Sequence, residues 1–118
     1  MTAALVAGQD PAGAVAVAER LGGAAATVGA DGALTPVAGI AEEFTAAVYV
    51  LDACVPADAV DEEALARLRA RCGVVVVATG ADVYPDAAAV RAESARRLRA
   101  EVLPVEPAAG TGFDAVRA

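Results

Sequence analysis

Val74-Val75-Val76-Val77-Ala78 decides the fold. The run is apolar at odd and even positions alike, so it has no solvent face. Such a run reads as a central strand of a parallel sheet with helices covering both sides. Four further short apolar runs repeat the theme at Ala3–Ala7, Ala24–Val28, Ala46–Leu51 and Val102–Val105. Helical stretches alternate with them, each with its own punctuation. Asp10 caps the first, Pro11 opens it, and Gly22-Gly23 stop it. Thr35-Pro36 opens a second, running to about Phe44. Asp58 or Asp61 starts a third, which ends at Cys72 with acids in its first turn and Arg67, Arg69 and Arg71 in its last, an order that suits the helix dipole. Asp86 caps a fourth that closes on Arg96, Arg97 and Arg99. Thr111-Gly112-Phe113-Asp114 begins a short fifth, with Asp114 as a capping-box acid.

Fivefold strand–helix alternation with short connections predicts a single α/β domain over residues 1–118. It is a three-layer sandwich on a five-stranded parallel sheet, minimal P-loop or flavodoxin-like in plan. Right-handed crossovers favour the strand order 2-1-3-4-5 and place a crevice between strands 1 and 3. A ligand would then sit beyond the carboxyl ends of those strands, among Gly8–Gly13, Asp52 and Thr79–Asp82.

Composition removes most chemistries. The 118 residues hold 16 Asp+Glu against 9 cations, a formal charge of −7, and every cation is Arg. Without His there is no imidazole base and no His metal ligand. Without Lys there is no Schiff base and no phosphate-binding ammonium. An acidic chain with two Phe and two Tyr is a poor nucleic-acid binder. The apolar share is mostly 34 Ala and 18 Val beside eight Leu, which predicts a thin, closely packed core. No apolar run approaches the ~20 residues that span a bilayer. The first residues carry no cation ahead of their apolar stretch, so they do not read as a signal peptide, and the chain reads as cytoplasmic. The Ala-rich texture points to a GC-rich genome. Cys54 follows the third strand and Cys72 ends the helix that comes next, which puts them at opposite ends of the sheet, too far apart for a disulfide, as two separate, mostly buried thiols.

Four segments carry functional signals. Leu5-Val6-Ala7-Gly8-Gln9-Asp10-Pro11-Ala12-Gly13-Ala14-Val15 has the spacing of a phosphate-binding loop: strand, Gly, four residues, Gly, helix. A working loop continues with Lys, for the β/γ-phosphates, and Ser or Thr, for Mg²⁺. Ala14 and Val15 stand there instead, and Asp10 adds a negative charge. A plain tight strand-to-helix turn is the alternative reading of this segment. The other signals are Val48–Ala53 and Val74–Pro85, joined by an acidic-to-basic helix, and Leu103-Pro104-Val105-Glu106-Pro107 with the Gly110-Thr111-Gly112 turn that follows.

Together these segments resemble the P-loop GTPases, most closely the bacterial dynamin-like and Era-like GTP-binding domains. In that family an Asn/Thr-Lys-x-Asp motif reads guanine. The resemblance implies that role for Asp82, with Thr79 at the first position and Gly80 in place of the Lys. It implies that Glu106-Pro107 replaces a Ser-Ala step that presents backbone to the base. The Asp-x-x-Gly motif has no clean counterpart, Leu34–Gly39 being the nearest, and the chain is too short for an ordinary switch I with its antiparallel strand. The vestigial nucleotide-binding positions are thus Gly8, Gly13, Ala14, Val15, Thr79, Asp82 and Glu106. The resemblance, with those losses, implies a catalytically inactive GTPase-like domain that binds nucleotide weakly or not at all. Such a domain acts as a protein-binding or regulatory module, with an active GTPase relative or a membrane complex as partner, and needs no cofactor or metal.

Two-component receiver domains are the rival resemblance. Leu51-Asp52-Ala53-Cys54-Val55-Pro56 is similar to the phospho-accepting Asp and the Met-Pro that follows it. That likeness implies a degenerate receiver acting as a signalling module, with Asp10, Asp52 and Thr79 as its site and Glu106-Pro107 where the family has Lys-Pro. Asp52 and Asp82 also have a plain reading as helix or turn caps. Charge is uneven: residues 1–60 hold seven acids and one Arg, residues 61–118 nine acids and eight Arg. The Arg-rich helix ends read either as a docking patch or as solvated ends that satisfy the helix dipole.

Overall fold

The computed structural model describes residues 4–21, 24–28, 34–36, 46–52, 56–80, 85–107, 110–113 and 116. Chain order is β1 (Ala4–Gly8), α1 (Pro11–Leu21), β2 (Ala24–Val28), β3 (Leu34–Pro36), β4 (Ala46–Asp52), α2 (Ala59–Arg69), β5 (Gly73–Thr79), α3 (Ala87–Leu98) and β6 (Val102–Val105). The strands form one sheet in the order β3-β2-β1-β4-β5-β6. Every neighbouring pair is parallel except β2 with β3.

Alternation along the strands divides the core. Val6, Val48, Val50, Val77 and Val105 face α1, against Ala14, Val17 and Ala18, with Phe113 on the same side. Leu5, Tyr49, Leu51, Val76 and Ala78 face the other way, against Leu65 and Leu68 of α2 and Leu98 of α3. The result is three layers. Each fully buried Val or Leu contributes about 1.5–3 kcal/mol. Alanines such as Ala14 and Ala64, both fully buried, contribute far less but let helix and sheet approach closely.

Several expectations need correction. The sheet has six strands rather than five, because β3 adds an antiparallel edge; the short chain does hold such a strand after all. Thr35-Pro36 therefore lies in β3 and opens no helix, while the rest of that expected helix, to Phe44, lies outside the described residues. Pro is compatible with that place because an edge strand has a free side where no N–H is needed; the opposite edge strand, β6, carries Pro104. Asp86 precedes α3, but its carboxylate makes no capping bond. Asp58, by contrast, is the N-cap of α2, in a reciprocal capping box with Asp61. That helix ends at Arg69, short of Cys72. At the chain end, Thr111 pairs with Glu106 in an isolated bridge and the helical conformation begins at Phe113; Asp114 lies outside the described residues.

Cys72 is a half-buried free thiol whose Sγ lies 3.7 Å from the Leu68 carbonyl; Cys54 lies outside the described residues. Burial pushes the Cys72 thiol pKa up, against the opposing pull of the Arg71 guanidinium. Among the described residues no helix is long and apolar enough to cross a membrane.

Candidate functional site: the acidic cleft at the strand ends

Where β1, β4 and β5 end, the connections to α1 and α2 leave on opposite faces of the sheet, and a cleft opens between them. It measures about 190 Å³ and is lined by Gln9, Asp10, Gly13, Asp52, Asp58, Asp61 and Thr79, among others. Ligand pockets usually measure about 300–1,000 Å³, so this one is small. Four carboxylates and no cation line it among the described residues. Even so, among those residues no group of three or more Asp, Glu, Cys or His is placed to hold a metal ion.

The first turn explains why the glycine spacing does not make a phosphate cradle. Helix α1 starts at Pro11, so Gly13 already lies within its first turn and the residues between the glycines form no wrapping arc. The Asp10 carboxylate accepts the Ala12 N–H at 3.1 Å, and the Asp10 carbonyl accepts the Ala14 N–H at 3.1 Å. The protein's own carboxylate thus sits on a helix-start amide of the kind that would draw an anion. Ala14 is fully buried against the sheet, so the position of the P-loop Lys faces the core, and Val15 beside it is half-buried. Gly8 also has a packing reason. A Cβ there would come within 2.7 Å of the Val50 carbonyl oxygen across the β1–β4 register.

The remaining candidate residues separate. Thr79, at the end of β5, and Asp52, at the end of β4, line the cleft with Asp10. Gly80 takes φ 86°, a left-handed conformation that costs a residue with a side chain about 1–2 kcal/mol. The backbone therefore disfavours a Lys at that position. Asp82 lies outside the described residues. Glu106 is drawn into a small closed loop: its N–H donates to the Thr111 carbonyl at 3.0 Å, and the Gly110 N–H donates to its carbonyl at 2.7 Å. Arg20 fastens that loop to α1, its Nε donating to the Pro107 carbonyl at 2.6 Å.

Sequence reasoning missed the hydrogen-bonded group at one wall of the cleft. Tyr49 is fully buried in β4, and its hydroxyl donates to Asp61 Oδ1 at 2.5 Å. Gln9 Nε2 donates to the same oxygen at 2.9 Å and to Asp58 Oδ1 at 3.0 Å. Asp61 Oδ2 accepts the Asp58 N–H at 3.0 Å, so the buried carboxylate is satisfied on both oxygens. Burial, helped by the hydrogen bond and negative charge of Asp61 and by Asp58, drives the Tyr49 hydroxyl far above the ordinary phenol range and keeps it a donor. Burial works against the Asp58 carboxylate but is outweighed by bonds from backbone N–H groups and the Gln9 amide, which hold its pKa below the usual range. The available signals were the Asp58-x-x-Asp61 spacing and a lone Tyr inside an apolar strand, whose hydroxyl must find a partner when buried.

No family model matches this chain, and no curated protein matches it.

Proposed function

We propose that the chain is a GTPase-like domain without catalytic activity that works as a protein-binding module. The observation that carries this reading is the Asp10 carboxylate on the Ala12 N–H. It places negative charge at the helix start where a nucleotide phosphate would need positive charge. Among the described residues the cleft adds no cation in compensation, and Asp52, Asp58 and Asp61 line it as well. Losing one desolvated charge pair costs on the order of 2–5 kcal/mol, and a triphosphate here lacks both its Lys and its metal-holding hydroxyl. Function then falls to surfaces, and the partner is another protein. Isothermal titration of the full chain with GTP and Mg²⁺ tests this: no binding heat is expected, and low-micromolar affinity overturns it.

A second reading rests on one observation. Asp10, Asp52 and Thr79, the three positions of the receiver resemblance, share the cleft. Incubation with acetyl phosphate and Mg²⁺ separates the two: a phosphorylated Asp52 by intact mass favours the receiver, and an unchanged mass the GTPase-like module.

A further inference from the structure

Helices α2 and α3 lie side by side on one face of the sheet, with arginines in the last turn of each and acids in the first turn of α2. Between their carboxyl ends runs a groove of about 390 Å³. It is lined by Glu62, Arg69, Arg97 and Arg99, by the exposed Ala66, and by Leu65 and Leu98, both almost fully buried. We propose that this groove docks an acidic segment of a protein partner, with carboxylates on the arginines and an apolar side chain against Ala66 and the arginine stems. The proposal rests on the protein-binding reading above and supplies its partner surface.

Three features support that occupant. The first is charge: three guanidinium groups against one carboxylate, Glu62, line this groove, which leaves it locally cationic on a chain whose net charge is −7. Local complementarity on this surface therefore selects an anion. The second is construction. Arg69 Nη1 donates to the Leu98 carbonyl at 3.1 Å, which ties the end of α2 to the end of α3 and fixes that guanidinium in the wall. Arg97 Nε pairs with Glu62 at 3.1 Å. A guanidinium carries five N–H donors in a rigid fork matched to carboxylates, so each still has donors to offer a ligand. The third is backbone. Arg99 has φ 53° and ψ 47°, the one positive φ outside glycine among the described residues. Glycine would occupy that helix end without strain, yet this chain places a guanidinium there. A flat anionic membrane fits less well, because the arginines line a groove between two helices and a planar surface would also face the acidic remainder of the chain.

The test is fluorescence anisotropy of the full chain with a labelled Glu-Asp-Leu-Glu-Asp-Glu-Leu-Glu peptide at low and high salt. Its Gln/Asn counterpart and phosphatidylserine vesicles run alongside. Binding of the acidic peptide that fades with salt is expected, with the amide peptide and the vesicles left unbound. Joint replacement Arg69→Gln and Arg97→Gln should weaken binding about tenfold or more. Arg99→Gly removes charge while relieving the backbone, so affinity should fall while Tm rises by about 4 °C. That combination separates docking from unfolding. Equal binding of the amide peptide, unchanged affinity in both variants, preference for vesicles, or no peptide binding each overturns the proposal. Absent peptide binding beside a silent GTP titration removes the groove and leaves the protein-binding reading; nucleotide binding removes that reading itself.

Discussion

The Tyr49 hydroxyl and the Asp61 carboxylate meet at 2.5 Å beside the strand-end cleft, tying the middle of β4 to the first turn of α2. Gln9 adds the end of β1 to the same carboxylate. The cleft wall is therefore fixed by a hydrogen-bonded group whose acceptors are carboxylates, and the acids there have a structural task that needs no ligand.

Replacing Tyr49 with Phe keeps the ring and removes the donor. Asp61 is buried, so losing one partner should cost about 1–3 kcal/mol of stability. Urea unfolding of the two proteins measures it; an unchanged midpoint would mean that the bond contributes nothing.

The depressed Asp58 pKa predicts a pH dependence of stability. A carboxyl whose folded pKa lies below its unfolded value near 4 stabilises the fold above that pH. The contribution fades as pH falls through the folded pKa. Asp58→Asn retains an N-cap acceptor but not the charge. The wild-type advantage over this variant should thus be present at pH 7 and shrink toward pH 3, as read from urea midpoints.

Introducing a Lys at position 14, where a phosphate-binding loop carries one, should fail in an informative way. Ala14 has no exposure and packs with Val17 and Val50. Ala14→Lys forces an ammonium into that layer and should destabilise by about 3 kcal/mol or more without creating GTP binding. Thermal unfolding and a nucleotide titration on the same sample check both halves.

Arg20→Ala should loosen the 106–111 loop while leaving the sheet intact. Removing the bond to the Pro107 carbonyl costs about 1 kcal/mol, felt as easier local opening of that loop. Hydrogen exchange at the Glu106 and Gly110 amides should accelerate, while that of β4 and β5 stays as it was. Uniform acceleration across the chain would contradict a local latch.

The sequence made the strand–helix alternation legible because Val74–Val77 and its fellows lack a polar face, and parallel strands need both faces covered. Strand β3 was hidden by Pro36, which at the start of a run looks like a helix opener but is equally at home on a sheet edge. The Asp31-Gly32 pair between β2 and β3 was the overlooked hairpin signal. Asp10 as the cap of α1 was readable from its place before Pro11. The Tyr49–Asp61–Gln9 group was legible only in pieces, as a lone strand Tyr and the Asp58-x-x-Asp61 spacing, since Gln9 is brought beside them by the parallel register of β1 with β4.

One titration bears on the whole account: GTP with excess Mg²⁺ added to the intact wild-type chain, followed by calorimetry. A flat trace is predicted, because a carboxylate holds the first-turn amide and no Lys exists to meet the phosphates. A saturable isotherm in the low-micromolar range would contradict it.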